Sequence, residues 1–175
     1  MEFKELMNKR RSIRKYEAQP IPREVVDRLL EVTLSAPSSR NSHSTHLMVI
    51  DQPELIEKMA LMRDYGSSFM KSAPLAILVM GDDTVTDKWQ INAAISATTL
   101  QLACVDEGLG SCWVHVDGSP CLKDEPEGKK ADEFLREFLP IPEGYKVLCA
   151  IAIGYTTFSP APIPEWDREA HIHRL

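Results

Sequence analysis

Five of the chain's twenty Lys and Arg residues fall within seven positions, Lys9-Arg10-Arg11-Ser12-Ile13-Arg14-Lys15, in a protein of net charge −6. Guanidinium forks bind phosphate oxygens in pairs and a serine hydroxyl adds a donor, so Arg10, Arg11, Ser12 and Arg14 make a candidate phosphate cradle. The segment has no glycine and follows the C-terminal end of a predicted helix, so side chains rather than a helix dipole must supply the attraction. A solvated basic patch is the competing explanation. Further along, Pro37-Ser38-Ser39-Arg40-Asn41 offers short hydroxyl and amide groups suited to a heteroaromatic ring edge or a polyol chain, although turn chemistry explains the same residues more cheaply. Gly108-Leu109-Gly110, leading into Ser111-Cys112-Trp113, brings backbone groups within reach of a ligand. It lacks a third glycine and opens no helix, which argues against a Rossmann dinucleotide turn.

Other chemistries find less support. His43 and His46, and His171 and His173, are close pairs, but no Asp, Glu or Cys near either completes a metal-ligand spacing, so no metal is expected. There is no G-x-S-x-G elbow, and Cys112 beside Trp113 reads as packing rather than as a nucleophile. Cys104, Cys112, Cys121 and Cys149 form no C-x-x-C pair and are expected to be reduced thiols.

The elements that must position these residues can be read from periodicity. Phe3, Leu6 and Met7 predict a short first helix ending near Lys9. Val25, Val26, Leu29, Leu30 and Thr33 predict a second, begun after Pro20 and Pro22 and stopped by Pro37. Leu47 to Ile50 predicts a strand, Glu54 to Met62 a helix, and the apolar run Pro74 to Met80 a strand buried on both faces. From Trp89, Ile91, Ile95, Thr98, Leu102 and Val105 repeat at steps of four and three while Ala93, Ala94, Ala97 and Ala103 stay small, predicting a helix packed on more than one side and ended by Gly108. Such a helix suits a central position or a homodimer interface. Cys112 to Val116 predicts a strand, Ala131 to Leu139 an amphipathic helix, and Tyr145 to Tyr155 a long strand. From Thr156 the chain is Pro-rich and reads as an extended arm.

At 175 residues, 43% hydrophobic and 26% charged, the sequence describes one domain, residues 1–175, with a core that needs no disulfide or metal. Mixed helices and strands without regular βαβ alternation predict an α+β fold with a mostly antiparallel or mixed central sheet. The acidic balance argues against nucleic acid or anionic membrane partners. The charged N-terminus and the lack of an ~18-residue apolar run point to a soluble, cytoplasmic protein.

Taken in order, these segments resemble the nitroreductase superfamily of FMN-dependent flavoenzymes over nearly the whole chain. Arg10-Arg11-Ser12-Ile13-Arg14-Lys15-Tyr16 is similar to its R-R-S-x-R-x-[FY] segment, and Ala36-Pro37-Ser38-Ser39-Arg40-Asn41 to its A-P-S-x-x-N loop. Ala73-Pro74 with the following strand resembles its D-A-P strand, and Gly108 to Trp113 its G-L-G-[ST]-C-W. Leu139-Pro140-Ile141-Pro142-Glu143-Gly144-Tyr145 and Ile151-Ala152-Ile153-Gly154-Tyr155 resemble its closing motifs. The resemblance implies a homodimer with two FMN sites at the subunit interface and a C-terminal arm, about 156–175, packed on the partner. Arg10, Arg11, Ser12 and Arg14 of one subunit would hold the phosphate and ring edge, with Pro37, Ser38, Ser39 and Asn41 from the other. His115 and Val116 would offer backbone contacts near the flavin N5. NAD(P)H would reduce the flavin and a small acceptor, such as a nitroaromatic or quinone, would reoxidise it in a ping-pong cycle; no acid or base residue is assigned. The alternative is a degenerate or specialised flavin-binding homologue without general nitroreductase activity. Two departures stand out. The family's N-x-Q-P-W continuation is here Asn41-Ser42-His43-Ser44-Thr45, placing His43 where Gln is usual, and no basic residue occurs between Lys146 and Arg168 to serve as the arm's phosphate ligand.

Overall fold

The computed structural model describes residues 2–175. Four strands, β1 (Thr45–Ile50), β2 (Leu75–Asp82), β3 (Gly110–His115) and β4 (Tyr145–Gly154), form one sheet in the order β1-β2-β4-β3 with every neighbouring pair antiparallel. Five helices surround it: α1 (Phe3–Lys9), α2 (Arg23–Leu34), α3 (Pro53–Met59), α4 (Trp89–Asp106) and α5 (Ala131–Arg136). The α+β expectation holds, with the sheet wholly antiparallel rather than mixed.

The alternation of side chains along β2 divides the core in two. Leu75, Ile77 and Val79 face α2 and α4, meeting Leu29, Ala93, Ala97, Leu100 and Cys104. Ala76, Leu78 and Met80 face α3 and α5, meeting Ile56, Met59, Leu135 and Leu139. Both faces being covered is why β2 is a continuous apolar run, and each fully buried Leu or Ile contributes about 1.5–3 kcal/mol through removal from water.

The register between β2 and β4 slips between Val79, opposite Cys149, and Met80, opposite Val147, so Leu148 is an extra residue in β4. Beyond this bulge the parity of β4 changes: Val147, Ala150 and Ala152 lie in one core, Leu148, Cys149 and Ile151 in the other. The Leu148 carbonyl accepts the N–H groups of Val116 at 3.0 Å and Asp117 at 3.2 Å, which turns the chain just after β3.

The α4 helix is oriented with its small residues inward. Ala93, Ala97 and Leu100 are fully buried against the sheet, whereas Ile91 is 57% and Ile95 36% exposed. The large-residue stripe of the sequence therefore faces away from the chain's own core. After β4 the arm is extended and exposed, with Phe158, Ile163, Trp166 and Ile172 among its uncovered side chains.

Candidate functional site

The segment after α1 runs along the free edge of β3. Ser12 and Ser111 form a parallel bridge, and the Ile13 N–H donates to the Ser111 carbonyl at 2.9 Å. Two glycines permit this approach: a Cβ on Gly110 would lie 2.8 Å from Ile13 Cγ2, and one on Gly154 would lie 3.0 Å from Tyr16 Cβ. The Tyr16 hydroxyl is within hydrogen-bond reach of the Ile13 carbonyl, 2.5 Å, and the Ala152 carbonyl, 3.1 Å, fixing the far end of the segment. Burial pushes the Tyr16 phenol well above its ordinary range, so it remains a neutral donor.

With Ile13 anchored, the basic run divides. Lys9 pairs with Glu5 at 2.8 Å, Arg11 donates to the Ala161 carbonyl of the arm, and Lys15 lies over the Phe158 ring at 5.1 Å. Arg14 is exposed and reaches the Phe69 ring at 5.7 Å, Ser12 lies against the Cys112 thiol, and Arg10 is half-buried at the end of α1. Arg10, Ser12 and Arg14 thus lie together beside the β3 edge. Arg11 also ties the arm, its Nη1 donating to the Ala161 carbonyl. The arm itself returns along residues 8–17: Thr157 bonds Glu17 at 2.8 Å, and Arg168 lines a small cleft with Asn8, Ile163 and Trp166. That places one tail cation beside the basic segment despite the gap in the arm's sequence, while Arg174 pairs with Glu169 at 3.7 Å.

The same edge supplies backbone donors. Because the Ser111 carbonyl points outward to Ile13, alternation along an antiparallel strand turns the N–H and C=O of Trp113 and His115 outward as well. His115 fits this pattern: its carbonyl accepts Arg63 Nη1 at 2.9 Å. Val116 turns inward. Its N–H is spent on Leu148, its carbonyl accepts from Ser119 at 2.9 Å and its side chain is fully buried, so the bulge has turned it into the fold.

The serine-rich loop is built by a residue that the sequence reading passed over. Asn92, 1% exposed at the start of α4, accepts the Ser39 N–H at 2.8 Å and donates to the hydroxyls of Ser44 at 2.9 Å and Ser42 at 3.1 Å. Its signal was an amide on the small-residue face of an apolar helix. Ser38 Oγ accepts the His43 N–H at 3.1 Å, so part of the loop is turn chemistry. Arg40, Asn41 and His43 take φ values of 53°, 53° and 48°, left-handed conformations costing on the order of 1 kcal/mol or more for a residue with a Cβ. Pro37 and Asn41 remain exposed.

The two groups do not meet within one chain. The loop precedes β1 and the cradle flanks β3, at opposite edges of a four-stranded sheet, three strand spacings or about 14 Å apart. A cavity of about 730 Å³ lies elsewhere, between α2, the end of β1 and the start of β2, lined by Ile21, Val26, Leu30, Val49 and Pro74. It contains none of the predicted site residues.

The four cysteines are free thiols. Burial pushes Cys104 up to about 12 and Cys149 well above the usual thiol range; Cys112 is also raised, with Arg14 opposing. None is an activated nucleophile. His46 stacks on Tyr145 at 4.1 Å, and among the described residues no group of three or more His, Cys, Asp or Glu is placed to hold a metal ion. Among the same residues no helix is long and apolar enough to cross a membrane.

An antiparallel sheet with a cationic segment laid on one edge and a hydroxyl-rich loop at the other defines an α+β protein. The nitroreductase family model matches residues 7–63 and 60–155, and the chain belongs to that family. It is 31% identical, over 99% of its length and 86% of the relative's, to a Methanothermobacter thermautotrophicus protein provisionally named NADH dehydrogenase/NAD(P)H nitroreductase. Iodotyrosine deiodinase 1 of Rattus norvegicus is 36% identical over 96% of this chain and 66% of its own. Among solved structures, an FMN-dependent nitroreductase from Clostridium difficile R20291 superposes with a TM-score of 0.88 at 33% identity, covering 97% of this chain and 96% of that one.

Proposed function

We propose that the chain is an NAD(P)H-dependent FMN oxidoreductase that acts as a homodimer, each site built from the β3 edge of one subunit and the 37–41 loop of the other. The separation of the two groups on opposite sheet edges is the observation that carries this reading: each is half of one site. The exposed Ile91 and Ile95 stripe of α4 gives a second copy an apolar surface to cover.

The residues present fit FMN. Arg10, Ser12 and Arg14 suit its phosphate and ring edge, and the outward His115 N–H suits a ring nitrogen that accepts a hydrogen bond. FMN held by these residues would supply the redox chemistry, hydride transfer from NAD(P)H and reduction of a small acceptor such as a nitroaromatic or quinone in a ping-pong cycle. The protein's own contribution is positional. Gly110 and Gly154 let residues 12–16 lie close to the sheet, Tyr16 fixes that segment, and Asn92 shapes the loop that closes the partner's site.

The test is a visible spectrum after FMN addition and desalting, followed by anaerobic NADH or NADPH. A retained flavin band that bleaches is expected. A protein that retains no flavin would overturn the assignment in favour of a degenerate homologue. The similarity to a deiodinase favours a second reading, a reductive dehalogenase. That alignment spans 202 positions, more than the 175 of this chain, so the deiodinase carries inserted segments that this chain lacks. Release of halide from an iodinated phenol by the reduced protein, without turnover of nitroaromatics or quinones, would establish it.

A further inference from the structure

Arg63 stands out among the side chains that the reading above does not use. It lies on the loop after α3, and its guanidinium crosses to the sheet edge, where Nη1 donates to the His115 carbonyl at 2.9 Å. The Tyr65 ring stacks beneath it at 4.0 Å. Its Nε is buried and has no hydrogen-bond partner. None of the ion pairs among the described residues includes it, and the neighbouring Asp64 carboxylate is turned away to the Lys123 N–H at 3.0 Å. A half-buried cation with a spare donor and no counter-ion is a site for negative charge.

The loop is built to hold it there. The buried Ser67 hydroxyl is within hydrogen-bond reach of the carbonyls of Ala60, 2.8 Å, and Arg63, 2.9 Å, and the Asp64 N–H donates to the Cys121 carbonyl at 2.8 Å. Along the free edge of β3, Ile13 occupies the Ser111 carbonyl and Arg63 the His115 carbonyl. Four residues of strand, about 13 Å, separate these two points, and between them the Trp113 and His115 N–H groups face outward. Phe69, against which Arg14 rests, belongs to the same 63–69 loop. This stretch of edge thus has outward N–H donors, Arg63 at its His115 end and the 63–69 loop, with Arg14 on Phe69, beside it.

We propose that Arg63 is the cation that compensates the charge of the reduced flavin ring, a positioning residue acting through electrostatics on the cofactor; this rests on the FMN reading above. A hydride brings two electrons and one proton, so its transfer to a neutral ring leaves one negative charge on that ring. Arg63, fixed beside the His115 donor, meets that charge without reorganising. It therefore favours the reduced over the oxidised cofactor.

The experiment measures the midpoint potential of bound FMN, and its oxidised-state affinity, in wild type, Arg63→Gln and Arg63→Lys, with thermal melting of each apoprotein as the measure of structure. In Arg63→Gln the preference for reduced over oxidised FMN falls about tenfold, a drop of ~30 mV for a two-electron couple, while Arg63→Lys stays within threefold of wild type. An unchanged potential in Arg63→Gln, or equal shifts in both variants, would overturn the proposal. So would an unchanged potential with a raised KM for acceptors, which would make Arg63 an acceptor-binding residue. Should Arg63→Gln not fold, Tyr65→Leu frees the guanidinium from its stack and is expected to shift the ratio at least threefold; no shift there overturns the proposal as well. A wild-type protein that binds no FMN defeats the function proposed above, whereas bound FMN of unaltered potential defeats the role of Arg63 alone.

Discussion

The Asn92 side-chain carbonyl accepts the Ser39 backbone N–H at 2.8 Å from within a helix, tying the loop that carries Ser38, Ser39 and Asn41 to the first turn of α4. One amide satisfies three loop groups, so its loss leaves donors and acceptors buried without partners. Asn92→Ala is expected to cost about 2–3 kcal/mol of stability, since each unsatisfied buried group costs 1–3 kcal/mol. Urea unfolding measures it. FMN binding should weaken too, through misplacement of a loop with three left-handed residues that no glycine eases. A variant with wild-type urea midpoint would show that the loop holds itself.

Arg10 and Arg14 keep their charge available at the β3 edge, whereas Arg11 is taken by the Ala161 carbonyl. Charge-assisted hydrogen bonds contribute about 1.5–3 kcal/mol each, so Arg10→Ala with Arg14→Ala should weaken FMN binding at least ~100-fold. Arg11→Ala should change it less than about threefold, loosening the arm instead. Fluorescence titration with FMN separates the two, and wild-type affinity in the double variant would remove these residues from the site.

Much of this was legible because local chemistry and local structure coincide. The apolar run of β2 and the proline start of α2 appear where their patterns put them. The rest depends on relationships that no single window contains. Strand order decides that the cradle and the serine loop sit on opposite edges, and periodicity along one strand says nothing of its neighbour. The outward His115 N–H is a backbone group, invisible in side-chain patterns, and the inward turn of Val116 follows from the Leu148 bulge, which cannot be seen in an apolar run. The α4 stripe was visible but not its direction: small residues face the core because the helix lies close to the sheet, leaving Ile91 and Ile95 outside.

Gly110 is a point where backbone proximity alone makes the site. A methyl there would sit 2.8 Å from Ile13 Cγ2, and also within 3.0 Å of the Ile13 Cβ, which cannot swing away. Gly110→Ala should therefore lift residues 12–13 from the β3 edge, costing about 1–3 kcal/mol as overpacking does and abolishing tight FMN binding. Gly128→Ala, in the 121–130 loop away from this edge, serves as the comparison and should bind FMN normally. Equal affinity in Gly110→Ala and wild type would mean that the pairing of Ser12 with Ser111 does not position the cradle.

Three buried thiols are expected to lower stability at alkaline pH. Burial raises Cys104, Cys112 and Cys149 in the folded chain, Cys104 to about 12, while unfolded thiols titrate near their ordinary value of about 8.5. Below that pH both states hold the proton and stability is unaffected. Above it the unfolded chain releases protons that the folded chain retains, so the unfolded state gains and stability falls with rising pH, by at most ~1.4 kcal/mol per pH unit for each thiol. The decline continues until the folded thiols themselves titrate, which for Cys104 is near pH 12. Urea midpoints in reducing buffer should therefore be flat from about pH 7 to 8 and drop steadily toward pH 10. Cys149→Ala, which removes one of the three groups at little change in volume, should show a shallower drop; an identical slope would assign the alkaline loss to other groups.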